Sequence, residues 1–320
     1  MTFHRHYHRG VAQQKGLHYE QPSAMDLHYP PRKRLIMEDT PSEPVLYEIT
    51  GGRASITLNR PDKRNALTGA MLQSLNEALW SADADDRVHA VILRANGVDF
   101  CSGADLAHYK GASSDENPHR RGRASLEDDA WWLEQSLAKR LALFDMHKPV
   151  IAQVQGRCLA AGTDLALMCD MILCSDDAVF GFPALRSQGS PPSHMWLYHI
   201  GPQWAKRLLL TGDSITGKDA AAIGLVLKSV PSVQLVAETE ALAARLALID
   251  TDLLSANKRI VNLGLELMGA RTLQRLAAEM DARAHLAKSR DVFRKDVMEG
   301  GVKHAVRKRD APFGDGFARP

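Results

Sequence analysis

Two short segments hold the residues best suited to chemistry: Phe100-Cys101-Ser102-Gly103-Ala104-Asp105-Leu106 and Cys158-Leu159-Ala160-Ala161-Gly162-Thr163-Asp164-Leu165. Each follows an apolar, β-branched run, over 88–93 and 150–154, and each places small residues where a strand must turn sharply. Small residues let backbone N–H groups approach a ligand closely, and a helix opening at the second turn adds the positive end of its dipole. Two such turns side by side can aim two N–H donors at one developing oxyanion, a device whose individual donors are worth about 2.7–4 kcal/mol. The chemistry this favours is that of acyl groups rather than phosphate or nucleic-acid binding. Taken singly, each turn also reads as an ordinary tight strand-to-helix connection.

The elements that must position these turns follow from periodicity. Hairpin-like strands are expected over 45–49 and 54–58, then a helix over 68–82 that Thr68 caps and whose apolar face is Met71, Leu72, Leu75 and Leu79. The strand over 88–93 leads into the first turn, and the polar stretch 110–123 reads as a loop. Ser125, followed by Glu127 and Asp128, caps a second helix with Leu133, Leu137, Leu141 and Phe144 on one face. Strands over 150–154 and 171–174 complete an alternation that predicts an α/β core with parallel strands. Beyond Leu235 the pattern is helical, over 237–248, 253–268 and 272–288.

Composition narrows the class. The chain has 320 residues, enough for one large domain or a domain with an appendage, with 45% hydrophobic and 24% charged residues. A net charge of +2 argues against a nucleic-acid partner, and no basic stripe is interleaved with aromatics. No apolar run approaches the length of a membrane span, about 20 residues, and no secretory leader is expected. The four cysteines, Cys101, Cys158, Cys169 and Cys174, form no C-x-x-C pair and read as buried thiols, so a cytoplasmic location is expected. Residues 1–40 carry His4, His6, His8, His18 and His28 without apolar periodicity and are expected to be a disordered extension. The irregular histidine spacing argues against a metal site. Met37, just ahead of the first strand, is an alternative initiator.

Further motifs recur in order: Asn59-Arg60-Pro61-Asp62-Lys63-Arg64-Asn65-Ala66-Leu67, His147-Lys148-Pro149-Val150-Ile151-Ala152, Phe180-Gly181-Phe182-Pro183, Leu210-Thr211-Gly212-Asp213 and Ala220-Ala221-Ala222-Ile223-Gly224-Leu225-Val226. With the two turns, these residues resemble the enoyl-CoA hydratase/isomerase (crotonase) family from about Leu46 to about Phe313. The resemblance implies an α/β fold, a crotonase-like ββα-repeat spiral core over 41–235, and a C-terminal helical trimerisation module over 236–320. It implies a homotrimer or a dimer of trimers, an acyl-CoA thioester as substrate, no permanently bound cofactor and no metal.

By the same resemblance, the N–H groups of Ala104 and Ala161 form the oxyanion hole. Lys63, Arg64 and Ala66 lie along the pantetheine and phosphate path, while Ala104, Asp105 and Leu106 approach the adenine end. Asp105 also reads as a residue that holds its turn. Hydratases of the family share a water between two glutamates. Asp164 stands at the first position, shorter by one methylene and so withdrawn by about 1.5 Å, a scale of misplacement that can cost about a hundredfold in rate. At the second position, after Phe180-Gly181-Phe182-Pro183, stands Ala184, which cannot move a proton. Where the family is glycine-rich, this chain reads Ser190-Pro191-Pro192-Ser193-His194, and Pro192 lacks an N–H.

Substitute groups are Arg186, Ser187, His194 and His199, with His194 the candidate acid or base. Arg186 could face a substrate carboxylate or Asp164. The segment Arg307-Lys308-Arg309-Asp310-Ala311-Pro312-Phe313 resembles a closing basic-Phe segment that reaches a neighbouring subunit's nucleotide. Hydration, double-bond migration, and thioester or C–C cleavage all remain open, as does a CoA-binding homologue without catalysis.

Overall fold

The computed structural model describes residues 43–106 and 125–320, so the expected extension over 1–40 and the polar loop over 110–123 lie outside the described residues. The first strands, β1 (Val45–Thr50) and β2 (Arg53–Leu58), pair antiparallel through Gly51 and Gly52, both at positive φ, the geometry a two-residue hairpin turn demands. Helix α1 (Gly69–Asp83) follows, its Thr68 side chain accepting the Met71 N–H. Strand β3 (Ala90–Ala95) starts two residues later than periodicity predicts and runs parallel to β2.

Helix α2 (Leu126–Asp145), capped by Ser125, leads to β4 (Val150–Val154), short β5 (Arg157–Leu159), short helix α3 (Ala161–Ala166) and β6 (Met171–Ser175). Then come β7 (Val179–Gly181), α4 (Trp196–Thr211), β8 (Ser214–Thr216), α5 (Gly217–Ala222) and β9 (Lys228–Val230). The strands form a six-stranded sheet in the order β1-β2-β3-β4-β6-β9, parallel from β2 onward, and a three-stranded sheet β5-β7-β8. The three-residue strands escape periodicity because they are too short to show an alternation.

Alternation across β3 sorts the core. Val91 and Leu93 face the main cluster with Met71, Leu75 and Leu79, whereas Ile92 faces the opposite side with Ile151, Leu173, Leu235 and Ala243. That second side is covered by α6 (Leu235–Leu246), which begins two residues earlier than expected. The stretch expected over 253–268 is α7 (Thr251–Leu267), the one expected over 272–288 is α8 (Ala270–Ala284), which ends four residues sooner, and a further helix, α9 (Lys288–Asp310), follows that periodicity does not anticipate. A buried lysine docks α7: Lys258 Nζ donates to the Leu143 and Lys148 carbonyls, each at 3.0 Å, and pairs with Asp170 at 2.9 Å. Helix α8 packs along α2, and the described residues form one compact unit.

Single bridges stitch the turns to this frame. Leu67 pairs with Ala104 and Cys101 with Cys158, both in parallel sense. A Cβ added at Gly162 would lie 2.6 Å from the Cys101 carbonyl oxygen and 2.9 Å from its Cβ, so α3 reaches this strand only because Gly162 has no side chain. Gly162→Ala is therefore expected to lower stability by about 1–3 kcal/mol, the cost of overpacking a close contact. Urea unfolding would measure it; an unchanged midpoint would show that the contact can relax freely.

Candidate active site

The first turn is braced from below by Asn65. This buried residue, at positive φ, accepts the Arg60 N–H through its side chain (2.8 Å) and donates to the Asn96 and Asp99 carbonyls, each at 2.9 Å. Arg60 reaches across to Asp105 at 3.0 Å and to the Ala66 carbonyl at 2.6 Å. Asp105 thus holds its turn, as one of the two readings of the sequence expects. Gly103 O accepts the Leu67 N–H and the Asp105 N–H returns to Leu67 O, so the intervening Ala104 N–H points away from that bridge.

The second turn comes alongside. A Cβ on Gly103 would lie 2.9 Å from the Ala160 Cβ and 3.6 Å from the Ala161 nitrogen. Ala160 sits at φ 50°, ψ −122°, a costly conformation for a residue with a side chain. It is held there by Ala160 N–H to Gly181 O (2.9 Å) and by the Thr163 N–H and hydroxyl, both donating to Ala160 O. Ala161 is the first residue of α3, where the N–H has no intrahelical acceptor. Among the described residues neither the Ala104 nor the Ala161 N–H has a hydrogen-bond partner.

One turn into α3, Asp164 is completely buried. Ser193 Oγ donates to its Oδ1 at 2.5 Å, while Oδ2 has no partner among the described residues. Burial pushes the Asp164 pKa up, and the opposing pull of Arg140 and Ser193 restrains it. Arg140 and Ser193 were not among the predicted site residues. Arg140 falls three residues after Leu137 and four before Phe144, on the buried face of α2, and a charge inside an apolar stripe is the signal that could have found it. Asp281 on α8 lies behind: burial pushes its pKa up to about 7, although it accepts the Ser190 N–H at 2.7 Å. His285 links Asp281 (3.7 Å) to Asp129 (2.5 Å).

His194 follows the serine that binds Asp164 and is itself at positive φ and partly buried, with burial lowering its pKa. No hydrogen bond joins His194 to Asp164 among the described residues. His199 faces the Leu167 carbonyl at 3.1 Å. Arg186 does not face Asp164, contrary to one of the expectations. It is buried against Asp213 (2.9 Å) and Asp310 (3.1 Å), donates to Thr211 O, and lies 3.7 Å over the Phe313 ring. The closing basic segment is likewise held within this chain: Lys308 pairs with Asp296 at 2.6 Å and Arg309 with Asp310 at 2.7 Å. Ala184 lies in a short 3-10 turn, Pro183–Arg186, and packs against the main core.

Of the predicted coenzyme contacts, Lys63 and Arg64 are exposed beside Asp62 (3.6 Å) and Asp99 (3.7 Å), and Ala104 is exposed near them. Leu106 packs with Phe293, Val297 and Ala305 of α9. A groove of about 560 Å³ between the start of α2 and α8 is lined by Glu127, Asp128, Glu134 and Glu279 against the single cation Arg283, with Trp131 among its apolar residues, a net acidic lining. The four cysteines are free and buried, and burial pushes the Cys101 thiol up to about 12, which removes it as a nucleophile at neutral pH. No cluster of three or more metal-ligating side chains occurs among the described residues, and none of their helices is long and apolar enough to cross a membrane.

This arrangement has relatives. The family model for enoyl-CoA hydratase/isomerase matches residues 48–316. The chain belongs to the enoyl-CoA hydratase/isomerase family. The 2,3-dehydroadipyl-CoA hydratase of Escherichia coli is 31% identical over 81% of this chain and 93% of its own length. Crystal structures agree: an enoyl-CoA hydratase from Mycobacterium smegmatis superposes with a TM-score of 0.79 at 33% identity, covering 86% of this chain and 96% of that one. An enoyl-CoA hydratase/isomerase from Xanthobacter autotrophicus Py2 gives 0.78 at 33% identity, covering 84% and 98%. The crotonase fold expected from the sequence is therefore the fold of this hydratase/isomerase family member.

The buried Asp281 sets a pH dependence of stability. Its folded pKa of about 7 lies above the ordinary 3.8, so the folded state binds the proton more tightly. Its contribution is fully present below about pH 4 and is lost as pH rises through about 7. Asp281→Asn keeps an acceptor for Ser190 and removes the titration. The melting temperature of the variant relative to wild type should rise between pH 5 and pH 8; a constant difference would refute the assignment.

Proposed function

We propose that this protein is an acyl-CoA thioester enzyme that hydrates 2-enoyl-CoA through an enolate bound by the Ala104 and Ala161 N–H groups. The observation that carries this reading is Asp164: a buried carboxylate one turn beyond Ala161, with Oδ1 fixed by Ser193 and Oδ2 unpaired. The water oxygen forms its bond to C3 and yields its proton to Asp164 Oδ2. The C2–C3 π pair shifts toward the thioester, and charge gathers on the carbonyl oxygen facing the two donors. As the enolate collapses, the same proton passes from Asp164 to C2, so H and OH are added and no other group changes its charge. Fixed donors of this kind stabilise the developing charge without reorganisation.

Ala184 contributes no carboxylate, so one group does the work that two glutamates share in the family pattern. That same observation favours a second reading, double-bond migration, in which a single base removes a proton from one carbon and returns it to another. Lys63 and Arg64 are proposed to meet the coenzyme phosphates as point charge and fork, with Ala66, Asp105 and Leu106 flanking that path and His194 as an auxiliary proton carrier. A homotrimer or dimer of trimers and a cytoplasmic setting accompany the proposal.

Asp164→Asn keeps size and the bond to Ser193 but cannot accept a proton, so turnover should fall about 10²–10⁴-fold. Full activity in a folded variant would move catalysis to His194. In wild type, the acid limb of the rate profile should lie above the ordinary aspartate range because burial raises the Asp164 pKa. Ala184→Glu separates the two readings. A rise in the consumption of 2-enoyl-CoA by water supports hydration, and conversion of 3-enoyl- to 2-enoyl-CoA by wild type with no gain in Ala184→Glu supports migration.

A further inference from the structure

Arg140 is a buried cation on α2. Its exposure is 6%, its Nε has no partner, and no hydrogen bond or ion pair involves its guanidinium among the described residues. Lys258, the comparably buried lysine, has three oxygen partners, which is what a charge removed from water normally requires. Burial alone weakens the Arg140 charge, and Asp164, Cys101 and Asp281 are the groups whose fields reach it. Arg140 therefore lies within electrostatic range of the catalytic carboxylate without being paired to it.

The helix packed against α2 carries buried polar groups. Gln274 and Asp281 lie two turns apart on one buried face of α8, the helix packed against α2. Gln274 Oε1 is unpartnered, and its Nε2 meets only the Met195 sulfur at 3.6 Å, two residues beyond Ser193. Ser190 Oγ is unpartnered as well. A guanidinium offers five donors in a planar fork that matches a carboxylate with two parallel hydrogen bonds. A second carboxylate on the substrate would supply the oxygen acceptors that Arg140 lacks, and the Asp281 carboxyl, when protonated, could donate to it.

We infer that Arg140 is the specificity residue of the acyl site, and that the acyl group carried by coenzyme A ends in a carboxylate: the substrate is the monothioester of an unsaturated dicarboxylic acid. The inference rests on the acyl-CoA reading above and names the substrate class of that site.

The test compares two thioesters of equal chain length, one ending in a carboxylate and one in a methyl group, on wild type, Arg140→Met and Arg140→Lys. Both kcat/KM for the enoyl forms and calorimetric affinity for the saturated forms would be measured. Wild type should prefer the carboxylate-ended thioester in both assays. Arg140→Met should lose about a hundredfold in affinity for it, in the range for deleting one partner of a buried charge pair, and little or nothing in affinity for the methyl-ended one, while the lost field on Asp164 lowers kcat for both. Arg140→Lys, which keeps the charge but not the fork, should retain part of the preference and guards against a folding defect in the methionine variant. Equal losses of affinity for both thioesters would make Arg140 a partner of Asp164 alone and overturn the inference, as would a wild type that prefers the methyl end or binds neither. Selective binding without turnover would uphold the inference while sinking the hydration reading; turnover without selectivity would do the reverse.

Discussion

The contact on which the site depends is the approach of two backbone turns to within side-chain distance of each other. Gly103 and Gly162 make it possible from opposite sides: one lets Ala160 and Ala161 come close, the other lets the start of α3 lie on Cys101. A methyl group on either glycine would push the two turns apart. Around this contact the structure supplies braces rather than more close approaches. Asn65 pins the lower loop and Ala160 is forced into an unfavourable conformation by bonds to Gly181 and Thr163. Strain of this sort persists only where neighbouring bonds over-determine it.

Behind the turns lies a chain of buried charges. Asp164, Arg140 and Asp281 sit on three different helices, and none is neutralised by a close ion pair with another of the three. Low local polarity makes each of them sensitive to any charge brought nearby. The site thus combines fixed dipoles at its mouth with a responsive set of ionisable groups at its back.

The strands and helices with clear periodicity were legible in the sequence, and so were the two turns, because small residues after β-branched runs mark a tight connection whatever its use. Thr68 and Ser125 were legible as caps for the same local reason. What could not be read was anything set by long-range contact. The destination of Arg186 depends on Asp310 and Phe313, more than a hundred residues away. Arg140 looked like one charge among many until α8 covered its face of α2. Ser193 was visible only as part of an unusual Ser-Pro-Pro-Ser run, and the partner of its hydroxyl, Asp164, is fixed by the fold rather than by spacing. The three-residue strands β5, β7, β8 and β9 were missed because pairing, not pattern, defines them.

The turn that carries Ala184 is fastened by the last residues of the chain. Arg186 is clamped by Asp310 and stacked on Phe313, and Ser214, in the strand beside Gly181, exchanges backbone hydrogen bonds with Gly316 and Ala318. Proteins are made from the N-terminus onward, and domains begin to fold during synthesis. The two small-residue turns can settle while the ribosome is still extending the chain, whereas the turn that carries Ala184 has only its contacts to the core, Thr211 and Asp213 until residues 310–318 have emerged. The fastening of the Ala184 turn is therefore a late event in synthesis, because the residues that complete it lie more than a hundred positions downstream.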